Sequence, residues 1–278
     1  MTVLPPNVSL ALSARADNVS LVRETLAGLA DAVDIGPAVD DIKAAVSEAC
    51  NNVVVHAYDD GGEGPLEFEV RVSPRELVAV VRDHGGGMPR PVGPDDDFPA
   101  RGIGLTVIEA LAYRSEVSAT AGRGTQVTMW FVISDSDAQP AAGTPLAPPP
   151  MGDVRIVIAP PRLCGAILGR LVGALGARAG FSIDRLSDAQ LVTDALAARI
   201  APALQDGVVS IAIDVLEGRA LELRLERLAA GGAAALLAGS AVEQIGSVIE
   251  RLSDEVEVSA AERGETLKLV LRDRRESS

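Results

Sequence analysis

Aromatic side chains make up only 3% of the 278 residues: one Trp, two Tyr and four Phe. So few flat rings leave no platform for stacking nucleobases along a strand. Lysine is scarcer still, since Lys43 and Lys268 are the only two among 25 basic residues. Chemistry that needs a dedicated lysine therefore has few candidates. The two cysteines, Cys50 and Cys164, each stand alone in an apolar helical stretch, which excludes a disulfide framework and a CxxC zinc site. Met1 to Leu12 has no basic segment followed by a sustained apolar run, so no signal peptide is expected. The longest apolar tract, Leu228 to Gly239, is broken by Gly231 and Gly232 and is too short to cross a bilayer. The expectation is a cytoplasmic protein without membrane contact.

Acid outweighs base, giving a formal net charge of −14. Residues 1–150 carry 10 basic and 21 acidic side chains, against 15 and 18 in 151–278. Clustered Lys and Arg, which phosphate backbones require, are missing, so no direct nucleic-acid partner is expected. The hydrophobic content of 47% is enough for packed cores, and a disordered regulator is excluded. The length suggests two domains. Ser134 to Gly152, SDSDAQPAAGTPLAPPPMG, is rich in Pro, Ala, Ser and Asp without periodicity and reads as a linker. The expected division is a domain at 1–134, a linker at 135–152 and a second domain at 153–278.

Periodicity predicts a similar order on both sides of that linker. In the first half it gives a strand at Val8–Leu12, helices at Asn18–Val33 and Pro37–Tyr58, and strands at Leu66–Val72 and Leu77–Arg82. A helix at Leu105–Tyr113 and strands at Ser115–Thr120 and Thr125–Ile133 follow. In the second half it gives a strand at Val154–Ile158, helices at Leu163–Ala179 and Asp188–Ile200, and strands at Val208–Val215 and Ala220–Leu228. A helix at Ala241–Leu252 and strands at Glu255–Ser259 and Thr266–Leu271 close it. Local identities run in parallel: Val107-Ile108-Glu109-Ala110-Leu111 matches Val248-Ile249-Glu250-Arg251-Leu252, and an Arg-Gly turn follows each, Arg123-Gly124 and Arg263-Gly264. Order, spacing and identities together favour a tandem duplication over chance similarity.

Four short motifs in the first half bear on chemistry. On the helix 37–58, Glu48, Asn52 and His56 recur every fourth residue and share a face. A carboxylate and a carboxamide one turn apart suit a magnesium site beside an attacking hydroxyl, although a solvated polar face has the same pattern. An apolar strand runs into Val80-Val81-Arg82-Asp83-His84-Gly85-Gly86-Gly87, where glycine lets a flat ligand approach the backbone and Asp83 can accept from an exocyclic amine. Arg101-Gly102-Ile103-Gly104-Leu105 opens a helix, whose free N–H groups favour phosphate. Between these two motifs lies PRPVGPDDDFPAR, long enough for a lid. Gly122-Arg123-Gly124-Thr125 is a tight turn with a hydroxyl. Each motif alone is weak.

As an ordered set they resemble the Bergerat-fold (GHKL) ATPases. Within that group VSEACNNVVVHAY, VRDHGGG, RGIGLTVIEAL and GRGTQV look most like the bacterial anti-sigma-factor serine/threonine kinases. The resemblance spans about residues 8–133. It implies an α+β fold, a two-layer α/β sandwich, and an ATP–Mg²⁺ site. Glu48 would be the general base, touching the metal through water. Asn52 would be the magnesium ligand, and Asp83 would read the adenine amino group with Thr125 behind it through water. Gly85 and Gly87 would make room for the base, and Gly102 and Gly104 would hold the phosphates with Arg101 and Leu105 beside them. The family function is to hold a sigma factor and to transfer the γ-phosphate to a serine of a STAS-type antagonist.

Two features depart from the family pattern. Asp95-Asp96-Asp97 in the lid would not hold phosphate and reads as a solvated run. The acidity of this half makes strong magnesium dependence the expectation, since the phosphates must be met at contact distance rather than by a long-range field. In the second half, alignment of Val192-Thr193-Asp194-Ala195 with Val46-Ser47-Glu48-Ala49 puts Asp194 at the base position and Ala198 at that of Asn52. No glycines stand at the adenine position, where Leu228 would fill the space. The second domain is therefore expected to be a degenerate copy, paired with the first within one chain or through a homodimer. Two other readings remain open: an ATP-gated protein-binding switch without phosphotransfer, and an adaptor that binds no nucleotide. A histidine kinase is disfavoured, because His56 and His84 are the only histidines and both lie inside the nucleotide motifs.

Overall fold

A computed structural model describes residues 7–58, 63–86, 103–119, 124–134, 153–238, 247–261 and 264–273. The first half consists of β1 (Asn7–Ser13), α1 (Val19–Ala32), α2 (Val39–His56), β2 (Pro65–Val72), β3 (Glu76–Asp83), α3 (Ile103–Leu111), β4 (Arg114–Ala119) and β5 (Thr125–Val132). The second half consists of β6 (Val154–Ala159), α4 (Cys164–Arg178), α5 (Ile183–Ala197), α6 (Ile200–Ala203), β7 (Val209–Leu216), β8 (Ala220–Leu228), α7 (Gly232–Ala238), α8 (Val248–Leu252), β9 (Glu255–Ala261) and β10 (Gly264–Arg272).

Alternation decides the strands. In β2, Leu66, Phe68, Val70 and Val72 are buried while Glu67 and Arg71 flank them on the other face, the period-two pattern of a sheet covered by helices on one side. The helices carry the complementary stripe. Leu21, Val22, Thr25, Leu26 and Leu29 of α1 are buried, and Ile167, Leu168, Leu171, Val172 and Leu175 of α4 keep the same spacing. In α2, Asp40 and Asp41 occupy the first turn and His56 the last, the charge order that a helix dipole favours. Pro37 lies in a 3-10 turn, Gly36–Ala38, ahead of α2 rather than inside it.

Among the described residues, ten strands form one antiparallel sheet in the order β4-β5-β3-β2-β1-β6-β7-β8-β10-β9. From the central β1–β6 pair outward, the strands of each half appear in the same sequence of first, second, third, fifth and fourth. A single cross-strand row runs the full width: Val117, Val127, Val81, Phe68, Leu10, Ile156, Ile211, Leu225, Leu267, Val258. Its midpoint is the Leu10–Ile156 pair. One hydrophobic core continues through both halves, and α1 lies directly on α4. Close packing fixes that contact, since a Cβ on Gly28 would come within 2.7 Å of the Ile167 Cα.

Two expectations need correction. The helix predicted from Asp188 begins five residues earlier, at Ile183, where Ser182 caps it by accepting from the Arg185 N–H at 3.3 Å. That helix ends at Ala197, and a separate short turn, α6, follows. The apolar tract after Leu228, for which periodicity predicts no element, contains a helix, α7. The linker 135–152 and the first part of the helix predicted at Ala241–Leu252 lie outside the described residues.

Candidate nucleotide site

α2, the end of β3, the start of β5 and the start of α3 converge at one end of the first half. Glu48 and Asn52 sit half-buried on α2, on the side that meets α3. Gly104, in the first turn of α3, is buried against Glu48, and a Cβ there would overlap the Glu48 carboxylate. Gly104 thus keeps α3 close enough for the carboxylate to lie at its N-terminal turn, with the half-buried Leu105 next in the chain. Among the described residues, neither Glu48 nor Asn52 has a hydrogen-bond partner. Both side chains are only half-buried, which leaves them open to a ligand.

Asp83 ends β3 and is 3% exposed. Its Oδ1 accepts from the Gly85 N–H at 2.9 Å, which turns the chain sharply after the strand. The turn is tied to α2, because the Gly86 N–H donates to the Ala57 carbonyl at 2.9 Å. A side chain on Gly85 would overlap that same carbonyl, so the glycine is required for packing against α2 as well as for any ligand. Register places Thr125 opposite Asp83, one step beyond the Arg82–Gln126 pair. On the other face of the sheet, Arg82 donates to Gln126 at 2.6 Å and to Glu69 at 3.3 Å, holding β2, β3 and β5 in line behind the site.

Tyr58 was not singled out from the sequence. Its hydroxyl donates to the Pro65 carbonyl at 2.6 Å and accepts from the His84 N–H at 3.0 Å. Burial is the main cause that pushes its hydroxyl pKa up. This side chain links the end of α2 to the turn after Asp83, and only the folded chain brings positions 58, 65 and 84 together. His84 is exposed and its ring faces Glu67 at 3.0 Å, away from a catalytic role. His56 is exposed at the end of α2. The structure therefore brings Glu48, Asn52, Asp83, Gly85, Gly104, Leu105 and Thr125 to one region. Gly87, Arg101, Gly102, Gly122 and Asp95-Asp96-Asp97 lie outside the described residues.

Among the described residues, no group of three or more His, Cys, Asp or Glu is placed to hold a metal. A magnesium ion that arrives with a nucleotide needs fewer protein donors, because phosphates and waters complete its octahedron. The oxygens of Asn52 and Glu48, half-buried, one turn apart and without a partner among the described residues, fit that requirement.

The corresponding region of the second half is filled by the chain itself. Following the sheet row from Val81 to Leu225, the position of Asp83 falls on Arg227, whose φ is 61°. The position of Thr125 falls on Glu265, whose carboxylate accepts from the Gly231 and Ala233 N–H groups at 2.8 and 3.2 Å. That remote carboxylate caps α7. Leu228 is fully buried, and the Ala229 N–H donates to the Ala203 carbonyl at 2.8 Å. The rhythm of burial along α5 corresponds to that of α2 with one residue more than the sequence alignment used, Val192 to Ala45 and Ile200 to Val53. Ala195 then stands for Glu48 and Arg199 for Asn52, while Asp194 is exposed and accepts from the Gln190 amide at 2.9 Å.

Comparison with known proteins gives the same outline for the first half. Residues 12–131 match the histidine kinase-like ATPase domain family. The serine-protein kinase RsbW of Halalkalibacterium halodurans is 31% identical over 128 residues, covering 42% of this chain and 79% of that protein. The anti-sigma F factor of Clostridium acetobutylicum is 31% identical over 135 residues, covering 46% of this chain and 94% of that protein. RsbW of Bacillus pumilus is 31% identical over 129 residues, covering 41% and 80%.

Proposed function

Because the chain belongs to the family of anti-sigma-factor serine-protein kinases, we propose that its first half binds ATP with magnesium and phosphorylates a serine of a STAS-type antagonist protein. In the same reading this half holds a sigma factor, and the second half is a tandem copy of the fold that has lost its nucleotide site.

The observation that carries the catalytic reading is the packing of Gly104 against Glu48. It keeps the Glu48 carboxylate, which has no hydrogen-bond partner among the described residues, at the opening turn of α3, where phosphates bind through free N–H groups. Glu48 accepts the proton of the attacking serine hydroxyl. The serine oxygen forms a bond to the γ-phosphorus, the bond from that phosphorus to the bridging oxygen breaks, and ADP departs. Such transfer depends mostly on positioning and on neutralising charge. Magnesium, when bound, supplies that neutralisation, with Asn52 offering its amide oxygen. Asp83 keeps one carboxylate oxygen for the Gly85 N–H and has the other to accept from the adenine amino group.

The test is a transfer assay with radiolabelled ATP, magnesium and candidate STAS proteins, comparing wild type with Glu48→Ala and Asn52→Ala. The reading requires labelled protein with wild type and strongly reduced labelling with both variants. Equal labelling by all three would remove Glu48 and Asn52 from the mechanism.

A further inference from the structure

The face formed by β1 and α1 in the first half is covered by β6 and α4 of the second, and two contacts across it lie on one local two-fold axis. In the sheet, Leu10 pairs with Ile156. In the helix layer, the Arg170 guanidinium reaches Glu24 at 3.2 Å and Asp31 at 2.7 Å. Leu10 and Ile156 are 146 positions apart, and so are Glu24 and Arg170. Equivalent positions that touch one another sit on the axis of a two-fold pairing.

At that axis the two halves differ in charge sign. If a first half paired with another first half in this geometry, Glu24 would face a second Glu24, with an Asp31 on each side. Four carboxylates would meet there without a cation. If a second half paired with another second half, Arg170 would face Arg170, with Ala177 in place of Asp31. Only the mixed pair brings Arg170 between Glu24 and Asp31. Like charges in direct apposition reject a partner more effectively than an exposed ion pair attracts one.

We propose that the β1/α1 face takes the β6/α4 face of its own chain and rejects a second copy of itself, so that each molecule is a self-paired unit with a single first-half site. The proposal rests on the reading of the halves as paired copies and not on phosphotransfer. Its test uses the full chain with cysteines at the axis and a short bismaleimide. Cys50 and Cys164 are buried and stay unlabelled. The Glu24→Cys, Arg170→Cys double variant is expected to give an internally bridged monomer. Glu24→Cys alone, which keeps Asp31 paired to Arg170, is expected to give no more covalent dimer than wild type. A covalent dimer from Glu24→Cys alone overturns the proposal, and so do dimers in place of bridged monomers from the double variant. Neither arm contains ATP, so failure here is distinguishable from failure of the kinase reading.

Discussion

Gly104 packs so closely on Glu48 that one added methyl group would overlap the carboxylate. The overlap falls on the flexible end of the glutamate, which can swing away, and not on backbone. Gly104→Ala is therefore expected to leave stability within about 1 kcal/mol of wild type, since alanine's better helix propensity offsets part of the crowding. Phosphotransfer is expected to fall at least tenfold as Glu48 is displaced. Thermal melting and the transfer assay, run on the same preparation, separate the two effects.

Asp83 holds a turn and, in this account, also reads a base. Asp83→Asn retains an oxygen for the Gly85 N–H, so the fold is expected to persist. The amide cannot stand in for both carboxylate oxygens, and ATP affinity is expected to drop tenfold or more. Asp83→Ala also removes the turn hydrogen bond and is expected to cost a further 1–3 kcal/mol or so. Calorimetric titration with ATP and urea unfolding measure the two contributions.

Alkaline pH is expected to destabilise the protein. Burial pushes the Cys50 and Cys164 thiols up from 9.0 to about 12. A group whose folded pKa is raised holds its proton in the folded state after the unfolded chain has released it. Its stabilising contribution is complete below pH 9 and is lost as pH rises toward about 12. At pH 10.5 the loss amounts to about 2 kcal/mol per thiol. Tyr58, through burial, and Tyr113, through its hydrogen bond to Glu76, shift the same way. Melting temperatures at pH 8 and pH 10.5 are expected to differ less in the Cys50→Ala, Cys164→Ala variant than in wild type.

At the seam between the halves, the Arg170 pairs are partly exposed, and Arg170→Ala is expected to cost under about 1 kcal/mol. Arg170→Glu leaves Glu24 and Asp31 facing a third carboxylate and is expected to cost more. Adding Glu24→Arg to that variant is expected to recover part of the loss. A double-mutant cycle from urea unfolding gives the coupling.

Much of this was legible in the sequence, for identifiable reasons. The i, i+4 spacing of Glu48 and Asn52 is a property of any α-helix, so their shared face followed once α2 was recognised. The strands followed from alternation, as in Leu66 to Val72. Contacts distant in sequence were not legible. The helix α7 was not foreseen: its start depends on Gly231, which has a φ of 76° and whose N–H is held by Glu265, 34 residues away. Tyr58 joins three distant positions through one hydroxyl. The start of α5 at Ile183 had its signals, Ser182 as cap and Asp184 in the first turn, but Ile183 is 81% exposed and falls outside the apolar stripe. The match of Asp194 with Glu48 was one residue off because α5 is shifted relative to α2, a displacement that burial reveals and residue identity does not.

The central claim is that the first half alone holds nucleotide. Equilibrium binding of ATP to the full chain in the presence of magnesium tests it most directly. The account predicts one site per chain, abolished by Asn52→Ala and retained in Glu265→Ala, which disturbs only the second half. Two sites per chain, or one site that survives Asn52→Ala, would contradict it.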